Sequence, residues 1–383
     1  MKKDQRKVLI ISASNPTRAY SCIKYLYQAL RERYDDVYLW AAVPNEQKEE
    51  YLSWGKNVNS FFFNIFGKIP KIRMIFMLLL GWALCFRFRN QVIVCHDLFF
   101  YRACVWVKKI FPKTTVVQYC TELYTERSPK FHQKLLKNFT KNPNAMDFTI
   151  ECDGMRAEYR KETFGISKIQ KTILNTMPLN YSSDLEIFAK GKSDKLPVVI
   201  FSGGIYEDGD IDIIVDAVSQ LSSIDFVFKI YCYGVNSAID YLKNKCQSCL
   251  PAGKWEVIVN TPRDVLLQKL RDADVGISYY DPLYSINTKY AAPTKFFEYV
   301  YLGLPIVSSA NDSLVALMDK YKLGLYMKEN TSEALADCIK TLVCDAKLRQ
   351  DISEKEKEAF EKYLCYEKQS EEVVALFDSY VIK

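Results

Sequence analysis

Continuous apolar runs that alternate with helix-spaced segments are the strongest constraint on how this chain folds. Lys7-Val-Leu-Ile-Ile-Ser12 has no polar face. Such a run suits a strand buried on both sides, the habit of a parallel sheet covered by helices. Tyr20–Arg33 then sets Ile23, Leu26, Tyr27 and Leu30 on one helical face, and Val37–Trp40 is the next strand. Gln91–Cys95, Thr115–Tyr119, Phe148–Glu151 and Thr172–Leu174 continue the series as strands, and a helix is expected from Met155 to Thr163. Pro178–Pro197 has few periodic apolar residues and reads as a linker. The alternation then restarts with strands at Val198–Ser202, Phe226–Tyr231, Glu256–Val259 and Val275–Ser278. Helices are expected over Ile211–Leu221, Ser237–Cys246, Arg263–Asp272 and Glu333–Leu342, and residues 346–381 are largely helical. The fold class is therefore α/β, with two consecutive doubly wound units.

A length of 383 residues fits two domains. The net charge of +6 is modest, with Lys and Arg read as spread along the chain, so no nucleic-acid partner is expected. Twelve cysteines without framework spacing, and no secretory signal at the start, point to reduced thiols in the cytoplasm. Cys246 and Cys249 form a lone C-x-x-C; with no second pair and two histidines in the chain, no metal is expected. The first half lacks G-x-G-x-x-G, which argues against a nicotinamide cofactor. Ile72–Leu84 is dominated by Met, Leu, Ile and Phe, with Lys68, Lys71 and Arg73 before it and Arg87 and Arg89 after it. It is short for a membrane span. It suits a core helix or an interfacial helix resting on anionic lipid, and Phe61-Phe62-Phe63 and Phe66 lie just upstream.

Candidate chemistry gathers around Ala291–Pro305. Pro293 marks the start of a short helix and Gly303 its end, and Pro305 blocks continuation into the strand Ile306–Ser309. Phe297, Val300, Tyr301 and Leu304 make a core face, whereas Lys295 and Glu298, three apart, share another face. That pair is either a solvated ion pair or part of a site. Gly203-Gly204 follows a strand and precedes a helix, where a backbone can approach a phosphate or simply turn. Amides and Lys295 could hold a diphosphate, and the Glu298 carboxylate could accept from both ribose hydroxyls. The substrate class this suggests is a nucleotide diphosphate sugar. In the first half His96 ends the strand Gln91–Cys95, and Thr121 and Glu122 follow the strand Thr115–Tyr119. Carboxyl ends of parallel strands line the ligand crevice of such sheets.

Ala292-Pro-Thr-Lys-Phe-Phe-Glu-Tyr-Val-Tyr-Leu-Gly-Leu-Pro305-Ile-Val resembles the donor-site signature of GT-B glycosyltransferases, in particular the group 1, family 4 enzymes. Phe201-Ser-Gly-Gly-Ile205, Asp272–Ile277, Cys95-His-Asp-Leu98 and Ile173-Leu-Asn175 match in order, so the resemblance spans nearly the whole chain. It implies two Rossmann-like domains facing across a cleft. Residues 1–178 would bind the acceptor, 179–196 would link, and 197–364 would bind the nucleotide sugar. A helix over 365–383 would return to the first domain. The resemblance also implies glycosyl transfer with retention and no metal. His96, Glu122 and Lys295 are the catalytic candidates; Gly203, Gly204, Lys295 and Glu298 are the donor-binding ones. The sequence departs from the pattern at Tyr290, where relatives often have Glu, at the acidic Tyr206–Asp210, and at Thr121, where many have His. These departures keep a non-catalytic GT-B subunit, or a sugar-nucleotide epimerase, open as alternatives. A glycan or lipid-linked acceptor is expected, in surface polysaccharide synthesis, with the enzyme cytoplasmic and peripheral on the inner face of the cell membrane.

Overall fold

A computed structural model describes residues 5–17, 21–61, 70–125, 128–181, 196–205 and 210–382. The chain divides into two compact units, Met1–Leu174 with Tyr366–Lys383, and Asn175–Cys365. The expected linker falls mostly on 182–195, and four of the five residues of the acidic departure Tyr206–Asp210 fall on 206–209; both stretches lie outside the described residues.

The first unit runs β1 (Val8–Ile11), α1 (Ser21–Arg33), β2 (Val37–Ala41), α2 (Lys48–Ser53), β3 (Val58–Ser60), α3 (Pro70–Arg87) and β4 (Val92–His96). It continues with α4 (Tyr101–Ile110), β5 (Thr115–Cys120), α5 (Lys130–Phe139), β6 (Phe148–Glu151), α6 (Gly154–Phe164) and β7 (Ile169–Thr172). The seven strands lie in the order β3-β2-β1-β4-β5-β6-β7, and the pairs are parallel. Strands β1, β4, β5 and β6 are buried along their whole length; β1 is an unbroken apolar run, as burial on both faces favours, whereas β5 and β6 also bury the polar Gln118, Thr149 and Glu151. The last strand ends at Thr172, so Ile173 and Leu174, expected inside it, follow it instead.

α3 is longer than the apolar window suggests, and it is only half a core helix. Met77, Leu84 and Cys85 join the core with residues of α4, while Ile75 and Leu79 stand 54% and 65% exposed. No helix among the described residues is long and apolar enough to cross a membrane.

The second unit runs β8 (Val198–Ile205), α7 (Asp210–Ser219), β9 (Val227–Gly234), α8 (Asn236–Cys249), β10 (Trp255–Val259), α9 (Arg263–Arg271) and β11 (Val275–Ser278). It continues with α10 (Ile286–Lys289), α11 (Thr294–Leu302), β12 (Ile306–Ser308), α12 (Asp312–Tyr321), β13 (Gly324–Tyr326), α13 (Ser332–Cys344) and α14 (Ala346–Ala359). Its six strands are parallel, in the order β10-β9-β8-β11-β12-β13. Both sheets reverse strand order beside their first strand, which makes each a doubly wound, Rossmann-like layer. Cys246 is buried in this unit's core, where burial pushes its thiol up to about 12, and Cys249 is exposed at the end of α8. All twelve cysteines are free.

A wide π-type turn, Phe360–Leu364, ends the second unit, and α15 (Tyr366–Val381) belongs to the first. Tyr366 packs on Tyr25 of α1, and Phe377 meets Phe148 of β6 edge-on. Arg33 donates from Nε to Asp378 Oδ1 at 2.8 Å, and Tyr34 donates to the same oxygen at 2.7 Å. At the far end Arg6 donates to the carbonyls of Tyr380, Gln91 and Lys113 and to Thr115 Oγ1, stitching both chain ends to the amino edge of the sheet.

Candidate functional site

In the second unit the site is built where α11 meets the carboxyl edge of β8 and β11. Pro293 is the N-cap, with extended backbone, rather than the first helical residue, and the helix begins at Thr294. Gly303 closes it with φ 60°, a left-handed cap that costs a glycine little. The expected core face is fully buried, and so is the rest of the helix from Lys295 to Leu302. The solvated reading of Lys295 and Glu298 is therefore corrected, since both are buried. Tyr299 anchors the helix from within: its hydroxyl takes the Ser202 amide at 3.2 Å and lies 3.0 Å from Ser202 Oγ.

Lys295 Nζ lies 4.1 Å from the centre of the Phe201 ring and 4.5 Å from that of Tyr280. An ammonium between two aromatic faces is held there electrostatically. Tyr280 is itself fixed: its amide donates to Ser309 Oγ at 2.9 Å, and Asn311 Nδ2 donates to its carbonyl at 3.0 Å. The strand end Ser308–Asn311 thus sets the ring that sets the lysine.

Gly203 and Gly204 are not a turn after the strand. They continue β8, opposite Cys232 and Tyr233 of β9, and the strand runs on to Ile205. Gly203 has φ 155°, and a Cβ there would stand 3.0 Å from Lys295 Nζ. The glycine therefore leaves room for the lysine and keeps the strand-end backbone open beside it. The two motifs, about ninety residues apart, meet at one point.

Glu298 does not pair with Lys295. Its Oε1 lies 2.6 Å from Arg263 Nη2, an ion pair rather than an aligned hydrogen bond. Arg263 opens α9 directly after Asn260-Thr261-Pro262 at the end of β10, and its Nε donates to the Tyr181 hydroxyl at 3.1 Å. The sequence reading missed Arg263. Its position just past a strand's carboxyl end was the available signal. Asn175 Nδ2 donates to the Ala292 carbonyl at 2.8 Å, so the matched Asn175 steadies the entry to α11.

The first-unit candidates sit in a buried polar network. His96 is 1% exposed, with Nδ1 2.9 Å from Ser12 Oγ and Nε2 3.0 Å from Thr121 Oγ1. Asp97 follows in the left-handed region at φ 51°. Its Oδ1 accepts from the Thr121 amide at 2.9 Å and the Glu122 amide at 3.3 Å, and Oδ2 lies 3.5 Å from His96 Nε2. Three strand ends are locked together here, and both ring nitrogens of His96 are used in doing so. Glu122 is half-buried, its backbone fixed by Asp97. Behind them Arg156 donates to the Thr121 carbonyl at 2.7 Å, and Arg160 pairs with the buried Glu151.

Burial lowers the pKa of His96, and Asp97 opposes that shift less strongly. The unfolded chain, with an ordinary histidine near ~6.5, takes up a proton that the fold refuses. Stability is expected to fall as the pH drops below about 6.5. Thermal melts from pH 7.5 to 5 check this. His96→Asn is expected to flatten the slope, and an equally steep slope in the variant would assign it elsewhere.

Residues 182–359, almost all of the second unit, match the family model for glycosyl transferases group 1. The chain carries a group 1 glycosyltransferase domain. The expected enzyme class is borne out by that match. Solved structures extend the likeness to the whole chain of this glycosyltransferase. HepE of Anabaena, in complex with UDP and glucose, is 13% identical, with 98% of this chain and 100% of that one covered at a TM-score of 0.75. Sucrose-phosphate synthase from Thermosynechococcus elongatus is 13% identical, with 98% of each covered at 0.73. The lipopolysaccharide outer core galactosyltransferase WaaB is 12% identical, with 97% and 99% covered at 0.67. These likenesses show the GT-B fold. No curated protein sequence matches the chain.

Proposed function

We propose that this glycosyltransferase takes a nucleotide diphosphate sugar as donor, with the second unit holding it. The observation that carries the reading is the meeting of Lys295 with Gly203, one helical turn from the carboxylate of Glu298. The diphosphate lies against the strand-end amides at Gly203 and Gly204 and the first amides of α11, whose helix dipole favours an anion. Lys295 meets the charge that grows on the leaving diphosphate, and no metal is needed in that role. Glu298 accepts from the ribose hydroxyls, with Arg263 holding the carboxylate's other side. HepE in complex with UDP-glucose supports this donor class.

The first unit binds the acceptor, a glycan or lipid-linked sugar, and transfer proceeds with retention in surface polysaccharide synthesis. WaaB, whose acceptor chemistry belongs to lipopolysaccharide, supports that direction. His96, with both nitrogens engaged, positions Thr121 and Asp97 at the strand ends, and Glu122 is the more accessible of the two first-unit candidates.

A panel of nucleotide sugars incubated with the protein tests the reading through slow release of free nucleotide. Glu298→Ala is expected to weaken donor binding by about 1.5–3 kcal/mol, the range for a charge-assisted hydrogen bond. Calorimetry reads this directly, and unchanged affinity removes Glu298 from the ribose. No nucleotide binding at all would favour a scaffold, and isomerised donor without acceptor would favour an epimerase. The anomeric configuration of the product by NMR decides retention.

A further inference from the structure

The modest net charge hides a strong asymmetry, and the expectation of evenly spread cations is corrected here. Between residues 70 and 146 there are 13 Lys and Arg against 3 Asp and Glu, a local charge of +10 in a chain whose total is +6. The helices α3, α4 and α5 fall in this stretch and contain no acidic residue. On α4, Arg102, Trp106, Lys109 and Ile110 are exposed at helical spacing, and on α5 so are Lys130, Lys134 and Lys137.

The same helices expose apolar groups at their seam. Ile72, Ile75, Leu79 and Phe86 form one stripe along the outside of α3, spaced by three, four and seven. Beside the stripe Trp82 of α3 touches Trp106 of α4, and Phe86 of the stripe touches Phe111 just past the end of α4, with ring centres 5.3 and 5.6 Å apart. Arg89 lies over both Phe86 and Phe111, which leaves its charge at the rim of the apolar strip. A further ring contact, Phe99 to Phe131, joins the start of α4 to α5.

We propose that this face of the first unit docks on the surface of an anionic lipid bilayer. The exposed Ile, Leu, Phe and Trp side chains sink to the headgroup and acyl boundary, and the surrounding Lys and Arg reach lipid phosphates. The helix lies on the membrane and does not span it. A second copy of the chain is a poorer occupant, because a symmetric contact would press two strongly cationic faces together. A nucleic acid would use the cations and leave the apolar stripe in water. The inference deepens the reading of a lipid-linked acceptor but stands on its own readout, because vesicle binding needs no donor.

Co-sedimentation of the full chain with phosphatidylcholine vesicles, with and without about 30% phosphatidylglycerol, tests it. Binding is expected to the anionic vesicles, to weaken with salt, and to be far weaker on the neutral ones. Three neutralisations together, Arg87→Gln, Arg102→Gln and Lys109→Gln, are expected to weaken it on the order of 100-fold. Leu79→Asp, at an exposed position that should not disturb folding, is expected to weaken it more than tenfold. Equal binding to neutral and anionic vesicles, or full binding by either variant, overturns the proposal. So does concentration-dependent dimerisation without lipid that Leu79→Asp abolishes, or tight binding of a 20-base-pair RNA duplex that Leu79→Asp leaves intact. Nucleotide release from a water-soluble donor is expected to be unchanged in both variants, which separates this test from that of the donor site.

Discussion

Replacing Lys295 with Ala is expected to lower kcat/KM for the donor by about 100- to 1,000-fold, the scale for removing one preorganised charge from a developing anion. The lysine is the cation that the structure places at Gly203, and two aromatic faces hold it there before any donor arrives. Lys295→Arg is expected to recover little. A guanidinium is planar and broad, and the gap between Phe201, Tyr280 and the α-carbon of Gly203 suits a compact ammonium. Steady-state kinetics, beside melting curves that show the variant folded, check both results. A Lys295→Ala enzyme that kept half its activity would take the diphosphate away from this residue.

The second large effect is on the stability of the first unit. Arg160 and Glu151 are almost wholly buried, and Arg160 also donates to Gln118 Oε1 at 2.9 Å. Burial raises the pKa of Glu151, and Arg160 is the main influence opposing it. Arg160→Met leaves a carboxylate in the interior without its cation, which is expected to cost about 3–5 kcal/mol. Adding Glu151→Gln is expected to restore most of that loss, because the penalty lies in the orphaned charge. Denaturant titrations of the single and double variants measure it. A single variant as stable as the parent would mean that the pair contributes nothing.

Much of this architecture could be read from local pattern, and what could not has physical causes. Unbroken apolar runs mark β1, most of β4 and the first half of β8, because a strand with helices on both sides has no polar face to show. The three-residue strands β3 and β13 are too short to carry a period. In β7 the pattern misleads, because the edge strand is half exposed and the apolar Ile173-Leu174 pair lies just after it. α4 escaped notice because its inward residues include Ala103 and Cys104, while Trp106 and Ile110 point outward, which blurs the amphipathic contrast.

For the site, the short-range signals at Gly203 and around Lys295 were each ambiguous, and their convergence is a tertiary fact. Spacing alone suggested that Lys295 and Glu298 answer each other. In the fold each has a different neighbour, the aromatic pair for one and Arg263 for the other. Arg263 stands on a separate helix, and only the packing of α9 on α11 brings it to Glu298. His96 was legible as a strand-end residue, but its partners come from two other strand ends, Ser12 and Thr121, which no local pattern connects.

The return of α15 to the first unit makes that unit discontinuous in sequence, whereas the second is a single uninterrupted segment. During synthesis the first unit must wait. Its sheet is complete once β7 has emerged, but the surface that α15 covers on α1, β6 and β7 stays open while the entire second unit is made. At about 5–20 residues per second that interval is on the order of 10–40 s. The second unit, made later, can therefore finish first. The segment before β1 meets the end of α15 in the finished protein, where Gln5 bridges Ile382 and the Arg6 amide donates to the Val381 carbonyl. A permuted order in which α15 directly preceded β1 would let the two be synthesised together and close that window.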